Sequence, residues 1–339
     1  MSSRLTRLFA TITWVLNLLR WARRTRPEPL PPAPAGSTTV TAADGTPLHV
    51  QVGGRPDADV TMVLVHGFLA RTLEFDMQWN AFGDRVRLVR YDHRNHGRSG
   101  HSRAPLTVLD LADDLAAVLE QVAPSGRLVL VGHSMGGMTV MGLAERYPEL
   151  FRERVAAVGL LATGAGHFLD GHRWENLFRW LGRRHVLAPP LLALRVAAPV
   201  LERLRPRRTH LMRWSTRKLV FGSTDVDPAT LTMTQAMLEE PPLATLTSLH
   251  GSLLRNDVLA GLEVLRGVPV LVLTGTEDRL TRPQHSERMA ASLGLSAELV
   301  LVEGAGHVVN QTRPTEVNAA LTRLLDRGTQ TAPRSLGRV

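Results

Sequence analysis

The chain has 339 residues, 44% of them hydrophobic, no cysteine and a formal charge of +9 at pH 7. That length and apolar content can bury a large core, and the lack of cysteine excludes disulfides, cysteine nucleophiles and thiolate metal sites. The basic balance would suit nucleic acid, but no binding motif or aromatic and basic platform accompanies it, so no nucleic-acid partner is expected.

The charge is unevenly placed. Residues 1–26 carry six arginines and no acid, and residues 166–220 carry twelve lysines or arginines against three acids, which leaves the remainder net acidic. In the first 26 residues, Leu5, Leu8, Phe9, Ile12, Val15, Leu16, Leu19 and Ala22 share one helical face, with Arg4, Arg7, Arg20 and Arg24 among the residues on the rest. This pattern suits a helix lying in a membrane surface. The apolar stretch, 8–19, is shorter than the roughly 20 residues of a spanning helix. A short or tilted span, a cleaved signal and a disordered leader are the alternatives. The expectation is a membrane-associated protein, with the side of the membrane open. Residues 27–37, rich in proline, read as a stiff linker.

After the linker, strand-like runs at 48–52, 61–65, 86–91, 127–131, 155–161, 270–274 and 298–302 alternate with helical stretches. One helix is predicted over 107–122, where Val108, Leu111, Leu115, Val118 and Val122 recur at helical spacing. Alternating elements of this kind imply an α/β fold with a mostly parallel sheet covered by helices on both faces.

Three strand ends carry chemistry. The run 127–131 feeds into Gly132-His133-Ser134-Met135-Gly136, the G-x-S-x-G pattern of a nucleophile elbow followed by a helix over 135–147. Asp278 lies in the loop after 270–274, and His307 in the Gly304-Ala-Gly-His loop after 298–302, where its ring could swing over the serine. A serine needs such a base, oriented by an acid, to act as a nucleophile at neutral pH. Glu277 competes with Asp278 for the acid role, but adjacent residues of an extended loop point apart.

The order Ser134, Asp278, His307, together with Val63-Leu-Val-His66-Gly67-Phe68 and Tyr91-Asp-His-Arg-Asn-His-Gly-Arg-Ser99, resembles the α/β-hydrolase fold superfamily, of the lid-bearing serine esterase and lipase type. The family pattern usually has glycine where this chain has Asn95, and asparagine tolerates the left-handed backbone that such a turn requires. The resemblance implies carboxylic ester hydrolysis through an acyl-enzyme on Ser134, with an oxyanion hole formed by the N–H groups of Phe68 and Met135. It also implies that His66 braces the oxyanion loop. His66, Leu69, His133, Phe168, Trp174, Phe178 and Val308 are candidates to line a substrate pocket for an apolar small-molecule acyl ester.

The core is expected over 38–165 and 255–328, a helical lid over 166–254 inserted between the nucleophile and acid strands, and a flexible tail over 329–339. Lid helices are predicted at 174–184, 191–204 and 230–239, and Leu169, Trp180, Leu181, Leu211, Met212 and Trp214 could also face the pocket. His93, His96 and His101 crowd one loop without recognisable ligand spacing, so no metal and no cofactor are expected. A haloperoxidase-like perhydrolase, an acyl thioesterase and, from another class, a non-catalytic ligand receptor on this scaffold remain the alternatives.

Overall fold

The structure is a computed structural model that describes residues 33–102, 106–166, 217–222, 226–239, 241, 245 and 257–330. Its strands are β1 (Ser37–Thr41), β2 (Pro47–Gly54), β3 (Val60–Val65), β4 (Arg87–Tyr91), β5 (Arg127–His133), β6 (Val155–Leu161), β7 (Val270–Gly275) and β8 (Ala297–Val302). They form one sheet in the order β1-β2-β4-β3-β5-β6-β7-β8. The β1/β2 and β2/β4 pairs are antiparallel and all the others parallel.

The central strands are apolar on both faces because both faces are covered. On β3, Val63 and Val65 enter one buried cluster while Met62 and Leu64 enter the other, and on β5 Leu128 and Leu130 are divided from Val129 and Val131 in the same way. The helices are α1 (Asp76–Phe82), α2 (Val108–Val122), α3 (Met135–Arg146), α4 (Pro148–Glu153), α5 (Pro228–Glu239), α6 (Leu259–Val264), α7 (Pro283–Leu293), α8 (Val309–Thr312) and α9 (Pro314–Gln330). The first cluster takes Leu115 and Val118 from α2, Met141 and Leu143 from α3, and Met289 and Leu293 from α7. The second takes Phe82 from α1 and Val317, Leu321 and Leu324 from α9. Helix α2 starts on a reciprocal cap: Thr107 Oγ1 accepts from Asp110 N–H at 3.3 Å, and Asp110 Oδ2 accepts from Thr107 N–H at 2.7 Å.

Each predicted strand is present, most of them extended by a residue or two. Strand β1, Ser-Thr-Thr-Val-Thr, was not anticipated; with Val40 its one large apolar residue it gives no strong alternation, and its pairing with β2 decides its state. The chain thus enters the sheet at Ser37, the last residue assigned to the linker. The helix predicted over 230–239 begins at Pro228, a residue suited to the first helical position. The helices predicted at 174–184 and 191–204 and the leader 1–26 lie outside the described residues; of the tail predicted over 329–339, residues 329 and 330 belong to α9 and the rest lies outside the described residues. Among the described residues no helix is long and apolar enough to cross a membrane.

The topology fixes where a site can form. From β3 the chain moves outward to β4, then returns through α2 to β5 on the other side of β3 and continues to β6. Between β3 and β5 the connections diverge, which opens a crevice at their carboxyl ends, the usual ligand position in such sheets.

Candidate active site

Ser134 sits at that crevice, between the end of β5 and the first turn of α3, with φ 51° and ψ −117°. This left-handed conformation is strained for a non-glycine residue. It is held by Ser134 N–H to Leu161 O at 2.9 Å and by Thr163 Oγ1 donating to Ser134 O at 2.6 Å. The flanking glycines are needed for contact: a Cβ on Gly132 would overlap the Gly136 carbonyl, and one on Gly136 would overlap the Val65 carbonyl at the end of β3. The elbow is therefore pressed directly against the strand that leads into the oxyanion loop.

Three side chains from three strand ends meet. His307 Nε2 is 2.9 Å from Ser134 Oγ, and His307 Nδ1 is 2.8 Å from Asp278 Oδ2. Asp278 Oδ1 accepts from the N–H groups of Leu280 at 2.8 Å and Thr281 at 2.9 Å, and its Oδ2 lies 2.7 Å from Thr281 Oγ1. An ionised Asp278 makes Nδ1 the donor, so Nε2 is left to accept the serine proton. Burial pushes the Asp278 carboxyl up, but His307 and the Thr281 donors outweigh it and hold the group below the usual carboxylate range. Asp278 is 3% exposed and His307 7%, whereas Ser134 is half-buried and accessible.

The His307 loop is clamped rather than free to swing. His307 N–H donates to Val220 O at 2.7 Å, Glu277 N–H donates to Ala305 O at 2.9 Å, and a Cβ on Gly306 would overlap the backbone of Phe221 and Gly222. Val220 and Phe221 belong to a segment assigned to the lid from sequence; here they back the histidine loop and pack with Val308.

On the other side of the elbow, Gly67 N–H donates to Glu74 Oε2 at 2.8 Å and Leu69 N–H donates to His96 Nε2 at 3.1 Å. Between them, the N–H of Phe68 has no partner among the described residues, nor has that of Met135 at the start of α3. Phe68 and Met135 also pack in one small apolar cluster with Leu106 and Leu111. Two unengaged donors thus flank the serine, as a developing oxyanion requires.

His66 does brace the loop: its Nε2 accepts from His93 N–H at 2.9 Å and its Nδ1 donates to Gly67 O at 2.8 Å. His66, His93 and His96 are buried with their rings edge to face. Burial lowers the pKa of all three, that of His96 to about 3. Among the described residues no group of three or more side chains is placed to hold a metal ion. Asn95 adopts φ 66°, as expected of the residue replacing glycine there.

The pocket expectations need correcting for two residues. His66 and His133 are 1% and 2% exposed and lie beneath the site rather than lining it. On β5, Val129 and Val131 face the α1/α9 side, and the two-residue period sends His133 to the same side. Leu69 is half-buried, with φ 60°, and Val308 is 4% exposed. Phe168, Leu169, Trp174, Phe178, Trp180, Leu181, Leu211, Met212 and Trp214 lie outside the described residues. A separate cleft of about 880 Å³ borders the Asp278 loop and is lined by Arg279, Arg282, His285 and Arg288. Sequence reasoning missed Thr281 and Glu74; only the spacing of Thr281, three residues after Asp278 in a loop, offered a signal.

The sequence pattern of the alpha/beta hydrolase family matches residues 62–320. The chain is 27% identical over 287 residues to a protein of Agrobacterium fabrum named "Putative carbamate hydrolase RutD", covering 82% of this chain and 98% of that one. A thermophilic esterase from Thermogutta terrifontis superimposes with a TM-score of 0.67 at 22% identity, covering 87% and 99% of the two chains. A bromoperoxidase from Bacillus anthracis does so with a TM-score of 0.68 at 17% identity, covering 86% and 99%. With its family pattern, its switch-point crevice and its serine elbow, the chain belongs to the alpha/beta hydrolase family.

Proposed function

We propose that this hydrolase cleaves carboxylic esters through an acyl-enzyme on Ser134. The observation that carries the reading is the unbroken hydrogen-bonded series Asp278, His307, Ser134 on a strained, accessible serine. In this reading His307 takes the Oγ proton as Ser134 attacks the acyl carbonyl, and Asp278 holds the imidazole in the productive tautomer and offsets its charge. The N–H groups of Phe68 and Met135 receive the oxyanion. The leaving alcohol takes its proton from His307, and water, deprotonated by the same imidazole, releases the acid. Leu69, half-buried next to the Phe68 donor, supports an apolar acyl group. The amphipathic pattern of residues 1–26 supports docking of the protein on a membrane surface.

Carbamates are the second reading, favoured by the name of the relative that this chain matches over 98% of its length. The same serine, base and oxyanion donors would attack a carbamate carbonyl. A panel of p-nitrophenyl esters from acetyl to palmitoyl, run beside an aryl carbamate, separates the two. A fluorophosphonate probe should label the wild type and spare Ser134→Ala, and both Ser134→Ala and His307→Ala should fold normally and lose nearly all turnover. More than about a tenth of wild-type activity in Ser134→Ala would refute the mechanism.

A further inference from the structure

We propose that Glu74 and His133 form a buried positioning pair that locks the oxyanion loop to the nucleophile elbow and to the histidine loop. The proposal rests on the serine-hydrolase reading above. Glu74 belongs to the short 3-10 turn Thr72–Phe75 and is 4% exposed. Its Oε2 accepts from Gly67 N–H at 2.8 Å, and its Oε1 lies 3.0 Å from His133 Nδ1, an ion-pair contact. His133 Nε2 lies 2.9 Å from His307 O. Three loops are joined through two side chains: Gly67 precedes the donor residue Phe68, His133 precedes Ser134, and His307 is the base itself. The Glu74 carbonyl adds a further tie, accepting from Asn310 Nδ2 at 3.1 Å and Gln311 Nε2 at 3.4 Å just beyond His307.

The protons on the pair follow from the acceptors. His307 O can only accept, so His133 Nε2 carries hydrogen. His133 Nδ1 lies 3.0 Å from a carboxylate oxygen, a contact that is attractive when the ring carries a second proton and repulsive between lone pairs when it does not. Burial opposes charge on both groups, yet their mutual attraction wins: His133 is pushed up from the ordinary histidine value and Glu74 down from the ordinary carboxylate value. A buried charge pair of this kind adds little net stability over apolar residues of the same volume. Its geometric effect is specific, because nothing apolar could hold the Gly67 N–H. With that N–H tethered and Leu69 N–H held by His96, the peptide plane carrying Phe68 N–H is fixed from both sides. Gly67 also packs on the elbow, since a Cβ there would lie 2.9 Å from His133 Nδ1 and 3.3 Å from Ser134 Cβ.

The test uses the full-length protein with p-nitrophenyl acetate, turnover being counted per serine titrated by the fluorophosphonate probe. Glu74→Ala removes both tethers and should lower kcat about tenfold or more with KM little changed, a fraction of the effect of losing an oxyanion donor outright. Glu74→Gln keeps an acceptor for Gly67 and an amide against His133, and should recover most of that loss. If Glu74→Ala does not fold, Glu74→Asp, too short to reach Gly67 and His133 together, takes its place with the same expected drop. Wild-type kcat per titrated site in the Ala or Asp variant, even with a lowered Tm, would reduce the pair to a purely structural role and overturn the proposal. A wild type that neither takes the probe nor turns over ester fails at the earlier step and overturns the serine-hydrolase reading along with the pair.

Discussion

Acidification below about pH 6.5 should destabilise this protein before most of its carboxylates protonate, because His66, His93 and His96 are folded as neutral rings. Burial is the largest cause in each case, and the other two rings of the cluster add repulsion at His93. Their folded pKa values lie below the ordinary 6.5, that of His96 at about 3, so over this interval the unfolded chain binds more protons than the folded one. Stability is then full above 6.5 and falls as pH drops below it, by about 1.4 kcal/mol per unit for His96, with His66 and His93 adding to the fall. At pH 5 His96 alone, with its folded value at about 3, costs about 2 kcal/mol, a sizeable share of the stability of many domains, and His66 and His93 act in the same direction. His133, raised by Glu74 against its own burial, acts in the opposite window: its contribution is complete below 6.5 and is lost as pH rises through its folded value. A maximum just above pH 6.5 follows. The assay is Tm by circular dichroism between pH 8 and 4, with unfolding enthalpies used to convert ΔTm into protons bound. His96→Gln can still accept from Leu69 N–H but cannot titrate, and should reduce the acid slope by about one proton. A slope unchanged to within half a proton would refute the assignment of the cluster as neutral.

Two further outcomes are expected. Asp278→Asn should lower kcat on the order of 10⁴-fold, because an amide stabilises the wrong imidazole tautomer, whereas Glu277→Gln should leave turnover largely intact; the reverse order, measured with p-nitrophenyl acetate, would move the acid by one residue. Deleting residues 1–26 should release the protein from anionic vesicles in a flotation assay while turnover of the soluble ester stays near wild type. Full-length protein that high salt strips from the vesicles would show attachment by charge alone, and full-length protein that never floats would rule out the surface helix.

The hydrogen-bonded series of Ser134, His307 and Asp278 was legible because each member follows an apolar strand-like run, buried in β5 and β7 and at the half-exposed sheet edge in β8, so the strand ends and the chain order carried most of the information. Glu74 was not legible. It stands in Thr-Leu-Glu-Phe with no motif around it, and a lone glutamate is ordinarily solvated. Its partners lie 7 and 59 residues away, and only the closing of the sheet brings Gly67 and His133 to it. His133 was read as pocket-lining, but strand periodicity, which the sequence did contain, turns it to the α1/α9 side with Val129 and Val131, beneath the site. The backing of His307 by Val220 could not be read at all, since it joins a segment outside the strand pattern to the histidine loop.

The strain in the backbone has the same address as the chemistry. Among the described residues, four non-glycine residues have positive φ: Leu69, Asn95, Ser134 and Ala162. Each follows the carboxyl end of one of four adjacent strands, β3, β4, β5 and β6. Such conformations cost on the order of 1–3 kcal/mol apiece and persist only where surrounding bonds enforce them. Here the enforcing bonds can be named. Leu69 N–H is held by His96, Asn95 Oδ1 accepts from Ser102 N–H at 2.7 Å, and Ser134 is pinned by Leu161 and Thr163. Ala162 N–H donates to Leu273 O at 2.7 Å, and its carbonyl lies 2.8 Å from Thr281 Oγ1, the hydroxyl that is also 2.7 Å from Asp278 Oδ2. The loop carrying Phe68 and Leu69, the loop that braces it, the Ser134 elbow and the support of Asp278 are thus the places where local preference is overruled. The two apolar clusters on either face of the sheet supply the rigidity that lets four strained turns coexist at one crevice.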